Sequence, residues 1–207
     1  MHKPISQPCL RNQEPIYQSL KEFFHKPGNV LELACGTGQH AVYFGSRLPH
    51  LQWQPSDLSP ALDGASAWVN EANLKNVLAP MELNITQTHW SKNTYDYIYS
   101  ANLVHFVPQD SVEKLFTGAA KHLKDNGVLA LYGPYNHNGF TSEGNRHLDD
   151  WLKQDIHPMA GIKELNNIQK LASNAGLELM KNCLLPANNH LLIFKKTKHE
   201  LFHTPCN

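Results

Sequence analysis

The chain has 207 residues, with 18 basic and 18 acidic side chains for a formal net charge of zero, and thirteen histidines scattered along it. That length suits one α/β domain with a full core, and the charge balance gives no electrostatic footprint for nucleic acid or an anionic membrane surface. Cys9, Cys35, Cys183 and Cys206 form no Cys-x-x-Cys pair, zinc spacing or disulfide framework. With no bilayer-length apolar run and no apolar leader, the expectation is a soluble protein of a reducing compartment, most simply the cytoplasm.

Residues 1–14 have turn and polar character, with Pro4, Pro8, Asn12 and Gln13. Ile16, Leu20, Phe23 and Phe24 then make one apolar helical face, closed by Pro27-Gly28. This arm, residues 1–28, precedes the first strand and is placed either to cover a ligand at the sheet edge or simply to cover the core.

The run from Val30 to His40 is the centre of the sequence. Val30, Leu31 and Leu33 predict a buried strand, Cys35-Gly36-Thr37-Gly38 a turn, and Ala41 to Phe44 a helix. Strand, glycine turn and helix together hold a nucleotide at the C-terminal edge of a parallel sheet. Glu32 is a carboxylate inside an apolar strand, so it needs a fixed partner. Gly36-x-Gly38-x-x-Ala41 satisfies the dinucleotide pattern of an NAD site. The longer pattern Glu32-x-Ala34-x-Gly36-x-Gly38 resembles motif I of class I S-adenosylmethionine (SAM) methyltransferases, which implies that Glu32, Ala34, Gly36, Thr37 and Gly38 meet the cofactor.

Leu51 to Pro55 predicts a second strand leading to Asp57, which follows Gly38 by nineteen residues. An acid there accepts from ribose hydroxyls in either nucleotide hypothesis. Ser59-Pro60 predicts the start of the next helix with Ser59 as its cap, which leaves Asp57 for the ribose. Val77–Leu83 is expected to be the third strand, ending at Asn84-Ile85. The methyltransferase resemblance places the adenine at Asn84 and Ile85, with Leu58 and Ala101 as further cofactor contacts. Trp90 is either a core anchor or an adenine neighbour.

Tyr95–Ser100 predicts the fourth strand. The resemblance puts its end, with Asn102 and His105, beside the reactive methyl, so these two are the catalytic candidates; an imidazole there can accept a proton, though a packed structural histidine is the alternative. Asp110-Ser111-Val112-Glu113 looks like a capping box before an amphipathic helix. Lys124–Gly127 reads as a turn, and Val128–Tyr132 as an apolar strand covered on both faces. Residues 136–161 read as a lid-like loop. In it, His147-x-Asp149-Asp150 has no second ligand cluster and reads as a solvated face, with no metal expected. A last helix over Leu165–Ala175 stops at Gly176, and two strands joined by Leu185–Asn188 must pair antiparallel. The tail, 197–207, is expected to fray.

Six runs together carry a more specific resemblance. They are Arg11–Ile16, Leu33–His40, Trp53–Asp57, Ser100–His105, Leu131–Tyr135 and Pro186–Asn189. With them the chain resembles the small methyltransferase-like family known as domain of unknown function 938. The resemblance implies a class I SAM-binding fold over 29–196, a mostly parallel seven-stranded sheet with an antiparallel final strand and helices on both faces. It names no acceptor. The chain departs from the family's usual aspartate at Asn84 and from its usual lid run at 140–145. Candidates for the acceptor side are Asn12, Gln39, His40, Tyr132, Tyr135, Asn188 and Asn189, and the acceptor is expected to be a small molecule. An NAD-dependent oxidoreductase and a non-catalytic SAM-binding or partner protein are the alternatives. The sequence does not give the oligomeric state.

Overall fold

The computed structural model describes residues 3–197; the expectation for the tail beyond 197 lies outside the described residues. In chain order the elements are α1 (Gln7–Leu20), β1 (Gly28–Leu33), α2 (Gln39–Arg47), β2 (Leu51–Asp57), α3 (Ser59–Ala72), β3 (Met81–Glu82) and β4 (Tyr95–Ala101). Then come α4 (Leu103–Phe106), α5 (Gln109–His122), β5 (Leu123–Pro134), α6 (Glu143–Trp151), a π-helical turn (Leu152–Ile156), α7 (Leu165–Asn174), β6 (Leu177–Leu185) and β7 (Asn189–Lys196). The sheet order is β3-β2-β1-β4-β5-β7-β6. β1 pairs parallel with β2 and β4, and β4 with β5. β7 alone runs against the rest, antiparallel to both β5 and β6. This is the class I methyltransferase sheet implied by the resemblance.

Side chains alternate across each strand, so β1 serves both faces. Leu31 and Leu33 pack with Ile98, Phe116, Leu129 and Phe194 beneath α5 and α7. Val30 packs on the other face with Phe44, Trp53, Tyr99 and the α1 residues Ile16 and Leu20. With no exposed face to satisfy, the central strands are apolar in both registers.

Several local expectations are corrected. α1 begins at Gln7, within the stretch expected to be turns. Ser6 caps it by accepting from the Cys9 amide at 3.4 Å, and Pro8 sits in its first turn, where no amide is needed. The helix stops at Leu20, so Phe24 leaves the helical face and stacks on Tyr97 with centroids 4.3 Å apart. The third strand is not Val77–Leu83. Val77 makes one bridge to Trp53, and regular pairing resumes only at Met81; Pro80, between them, has no amide to donate. The turn expected at 124–127 is absorbed into β5, where Asn126 takes φ +61°. Neither helix cap is as expected. Leu58 precedes α3 and Pro108 precedes α5, and neither supplies a side-chain cap. The 136–161 segment is not all loop: Ser142 caps α6 by accepting from the Asn145 amide at 3.1 Å.

Candidate functional site

The β1–α2 turn is held left-handed at three of five positions, with φ +54° at Ala34, +55° at Gly36 and +79° at Gly38. The two glycines answer to different constraints. A Cβ at Gly38 would lie 3.0 Å from the Ala65 Cα, so that glycine lets α3 pack against the turn. A Cβ at Gly36 would meet nothing within 4 Å; its absence keeps the backbone open to a ligand. Ala34 has no such freedom, and its left-handed backbone costs about 1–2 kcal/mol, strain of a kind that collects at binding sites.

Glu32 has the partner its burial demands. Trp53 Nε1 donates to Glu32 Oε2 at 2.6 Å. Burial nevertheless pushes the carboxyl up to about 8, more than the Trp53 bond lowers it, with the nearby Asp57 charge adding to the rise. At the end of β2, Asp57 accepts from the Gly36 amide and from the Leu58 amide, both at 2.7 Å. Each carboxylate oxygen therefore keeps acceptor capacity, and Leu58 beside it is half-exposed.

A cavity of about 740 Å³ opens over this turn. Its floor is Glu32, Ala34, Cys35, Gly36 and Thr37, with Ala101, Asn102, His105 and Tyr132 from the ends of β4 and β5. Its roof is α1, through Ser6, Pro8, Cys9, Arg11, Asn12 and Pro15. Leu148 and Trp151 of α6, Phe106, and Pro186, Ala187 and Asn189 of the β6–β7 hairpin close the sides.

Polar groups fasten the roof. Gln39 Oε1 accepts from the Ser6 amide at 2.5 Å and from Thr37 Oγ1 at 3.0 Å. His40 Nε2 lies 2.8 Å from Asn12 Oδ1, and His40 Nδ1 lies 3.2 Å from the Tyr99 hydroxyl. The pair of contacts fits a neutral ring that donates to Asn12 and accepts from Tyr99. Burial pushes His40 down to about 4. His105 lines the floor with Nδ1 buried and unpaired, and burial, with the Lys163 charge, pushes it down to about 3. The ring is therefore neutral through the physiological range, and a weak base. Asn102 is the left-handed residue that turns β4 into α4, and its amide donates to the Tyr132 carbonyl at 2.7 Å.

The candidate residues thus fall into groups. Glu32, Ala34, Gly36, Thr37, Ala101, Asn102, His105, Asn12, His40, Tyr132 and Asn189 share the cavity. Gly38 and Gln39 shape it from behind. Asp57, Leu58, Asn84 and Ile85 lie along the neighbouring strand ends, outside the lining. Asn84 Oδ1 accepts from the Thr86 amide and hydroxyl at 2.9 and 2.8 Å, so part of its acceptor capacity is taken. The Ile85 carbonyl accepts from Trp90 Nε1, and Trp90 stacks on His122 as a core anchor. Tyr135 is fully buried, away from the cavity, with its hydroxyl unpaired. Asn188 lines an adjoining hollow of about 440 Å³ that shares Leu148, Ala187 and Asn189 with the main cavity. Asp149 is not on a solvated face: it is buried, accepting from the Ile162 amide at 2.7 Å and from Lys153. Among the described residues no group of three His, Cys, Asp or Glu is arranged to hold a metal, and no helix is long and apolar enough to cross a membrane.

Sequence patterns missed Ser6, Pro8, Cys9, Arg11, Pro15, Cys35, Phe106, Leu148, Trp151, Pro186 and Ala187 as lining residues. The arm's place ahead of β1 pointed to α1 as a cover, but periodicity does not separate the side chains that face the cavity from their neighbours.

SAM fits the donor set. The turn offers an open backbone at Gly36 and a buried carboxyl at Glu32, and Asp57 keeps acceptor capacity beside the half-exposed Leu58; these are the groups that would hold SAM's amino-acid end and ribose. The fold matches solved methyltransferases. An O-methyltransferase family protein from Burkholderia thailandensis has a TM-score of 0.81 at 19% identity, over 93% of this chain and 58% of that one. Human N-acetylserotonin methyltransferase, in complex with SAM, has a TM-score of 0.80 at 12% identity, over 93% and 53%. An O-methyltransferase family 2 protein from Planctomyces limnophilus, in complex with apigenin, has a TM-score of 0.74 at 14% identity, over 89% and 62%. The chain spans little more than half the length of these proteins. Sheet order and glycine turn thus define a class I methyltransferase fold. The chain belongs to the family described as "Protein of unknown function (DUF938)", whose profile matches residues 3–196.

Proposed function

We propose that this chain is a SAM-dependent methyltransferase acting on a small-molecule acceptor by in-line methyl transfer. The observation that carries this is the single cavity that runs from the Glu32–Gly36 turn to Asn102 and His105 under a roof made by α1. The matched proteins bound to SAM and to apigenin support it as analogues.

SAM supplies, when bound, a methyl group on a good leaving group. The protein's task is then alignment, worth about 7–11 kcal/mol when reacting groups are well held. Glu32 and the Gly36 backbone hold one end and Asp57 the ribose. Asn12, Asn102, Tyr132 and Asn189 present neutral polar groups to the acceptor side, with His40 holding Asn12 and Gln39 fastening the roof through Ser6; Asn188 lines the adjoining hollow and Tyr135 lies outside the cavity. His105 orients an acceptor oxygen or nitrogen as a neutral partner; its depressed proton affinity suits an acceptor that arrives deprotonated better than one that needs a strong base.

A second reading, SAM binding without turnover, draws on that same weak base. Labelled SAM incubated with the protein and a cell extract distinguishes them. Label in the low-molecular-weight fraction supports the proposal. Label in protein or nucleic acid only, or none, overturns it.

A further inference from the structure

The cavity carries two features that cofactor binding leaves unused. The first is Arg11. It is the one lysine or arginine in the lining, and it forms no ion pair among the described residues. Burial raises the proton affinity of the Tyr132 phenol, while a hydrogen bond with Asn12 and, after it, the nearby Arg11 charge draw it down. The second is an uncovered aromatic wall. Phe106 is 37% exposed and Trp151 43% exposed, with their rings edge to face at 6.1 Å. Large apolar side chains left open in a concave, half-roofed space mark a contact surface.

We infer that the acceptor is a small planar aromatic acid, its ring against Phe106 and Trp151 and its carboxylate on Arg11. The inference rests on the methyltransferase proposal and deepens it. Arginine's planar fork matches a carboxylate through two parallel hydrogen bonds. The Tyr132 phenol, kept protonated by burial, offers a further donor beside it. The other ionisable groups in the lining do not oppose an anion: His40 and His105 are neutral, burial keeps the Cys9 and Cys35 thiols protonated, and Glu32, at the inner end, faces the amino-acid end of the cofactor on the methyltransferase reading. A cationic amine would meet Arg11 unfavourably. The cavity of about 740 Å³ is shared with the cofactor's amino-acid end, which limits the acceptor to a small molecule such as a substituted ring, and the α1 roof hinders a folded macromolecule.

The test uses 4-hydroxybenzoate and its neutral analogue 4-hydroxybenzamide, titrated by calorimetry into protein saturated with S-adenosylhomocysteine. The acid is expected to bind at least about fivefold more tightly, as a charged hydrogen bond at a part-screened site gives. Arg11→Gln should bring the preference below about twofold with S-adenosylhomocysteine affinity unchanged. Trp151→Ala should weaken both probes alike. Equal binding of the two probes, no binding of either, or a preference that survives Arg11→Gln overturns the inference. Failure of S-adenosylhomocysteine to bind sinks the methyltransferase proposal instead; the probes are then titrated into the ligand-free protein, where the same Arg11-dependent preference decides.

Discussion

Trp53, in the middle of β2, donates its indole hydrogen to Glu32 near the end of β1 at 2.6 Å. Both side chains are buried on the α1–α2 side of the sheet. The bond fixes the carboxylate that closes the inner end of the cavity.

Trp53→Phe removes the donor and leaves Glu32 unpaired. An abandoned buried polar partner costs about 1–3 kcal/mol, and the lost indole volume adds to it. The unfolding free energy from denaturant titration is expected to fall by at least that amount, and SAM affinity to fall with it. Unchanged stability would mean that Glu32 finds water or another donor there.

The two turn glycines should separate binding from folding. Gly38→Ala forces a Cβ to within 3.0 Å of the α3 backbone at φ +79°, so it should lower stability by about 1–3 kcal/mol. Gly36→Arg meets open space, so it should cost only the roughly 1–2 kcal/mol of its positive φ while abolishing SAM binding. Thermal melts and calorimetry on both variants check the contrast.

Asp57→Ala should weaken SAM by about tenfold or more, the loss of charge-assisted bonds to hydroxyls. It also frees the Gly36 amide that Asp57 now holds at 2.7 Å. Asp57→Asn keeps one acceptor and should lie between. Calorimetric affinities equal to wild type in both variants would make Asp57 a purely structural brace.

Stability of the ligand-free protein should peak near pH 6.5. His40 and His105 have folded values lowered to about 4 and about 3 from 6.5. The unfolded chain takes up protons that the folded one refuses, so stability is lost as pH falls from 6.5 through those values. Glu32 has the opposite sign. Its folded value is raised from 4.5 to about 8, so the native state keeps a proton the unfolded chain has released, and stability declines as pH rises through that window. Below 6.5 the two histidines outweigh the one acid; above it Glu32 dominates, and the thiols of Cys9, Cys35 and Cys183, raised chiefly by burial, add to the decline as pH approaches 9. Denaturant midpoints from pH 4 to 9 measure this. Glu32→Gln should flatten the alkaline limb and His105→Asn should make the acid limb shallower.

Much of this architecture is written locally. The carboxylate in the apolar run of β1, the glycines after it and Asp57 at the end of β2 fall where the sequence puts them, and the hairpin at Ala187-Asn188 takes positive φ at both residues as a tight antiparallel link requires. What escaped depends on contacts distant in sequence. Asn12 reads as a turn residue, yet it is the polar centre of a helix because His40 meets it from α2. β3 shrinks because Pro80 interrupts the ladder. Asp149 looks solvated in a charged run, yet is buried against the Ile162 amide. Phe106 and Trp151 meet only after the chain has folded around the cavity.

The most direct test of the account is a calorimetric titration of the purified protein with SAM, S-adenosylhomocysteine and NADH, beside Gly36→Arg. The account predicts micromolar binding of both sulfur ligands, lost in the variant, and no competition from NADH. Binding of NADH alone, or of none of the three, would contradict it and return Gly36-x-Gly38-x-x-Ala41 to a dinucleotide or purely structural role.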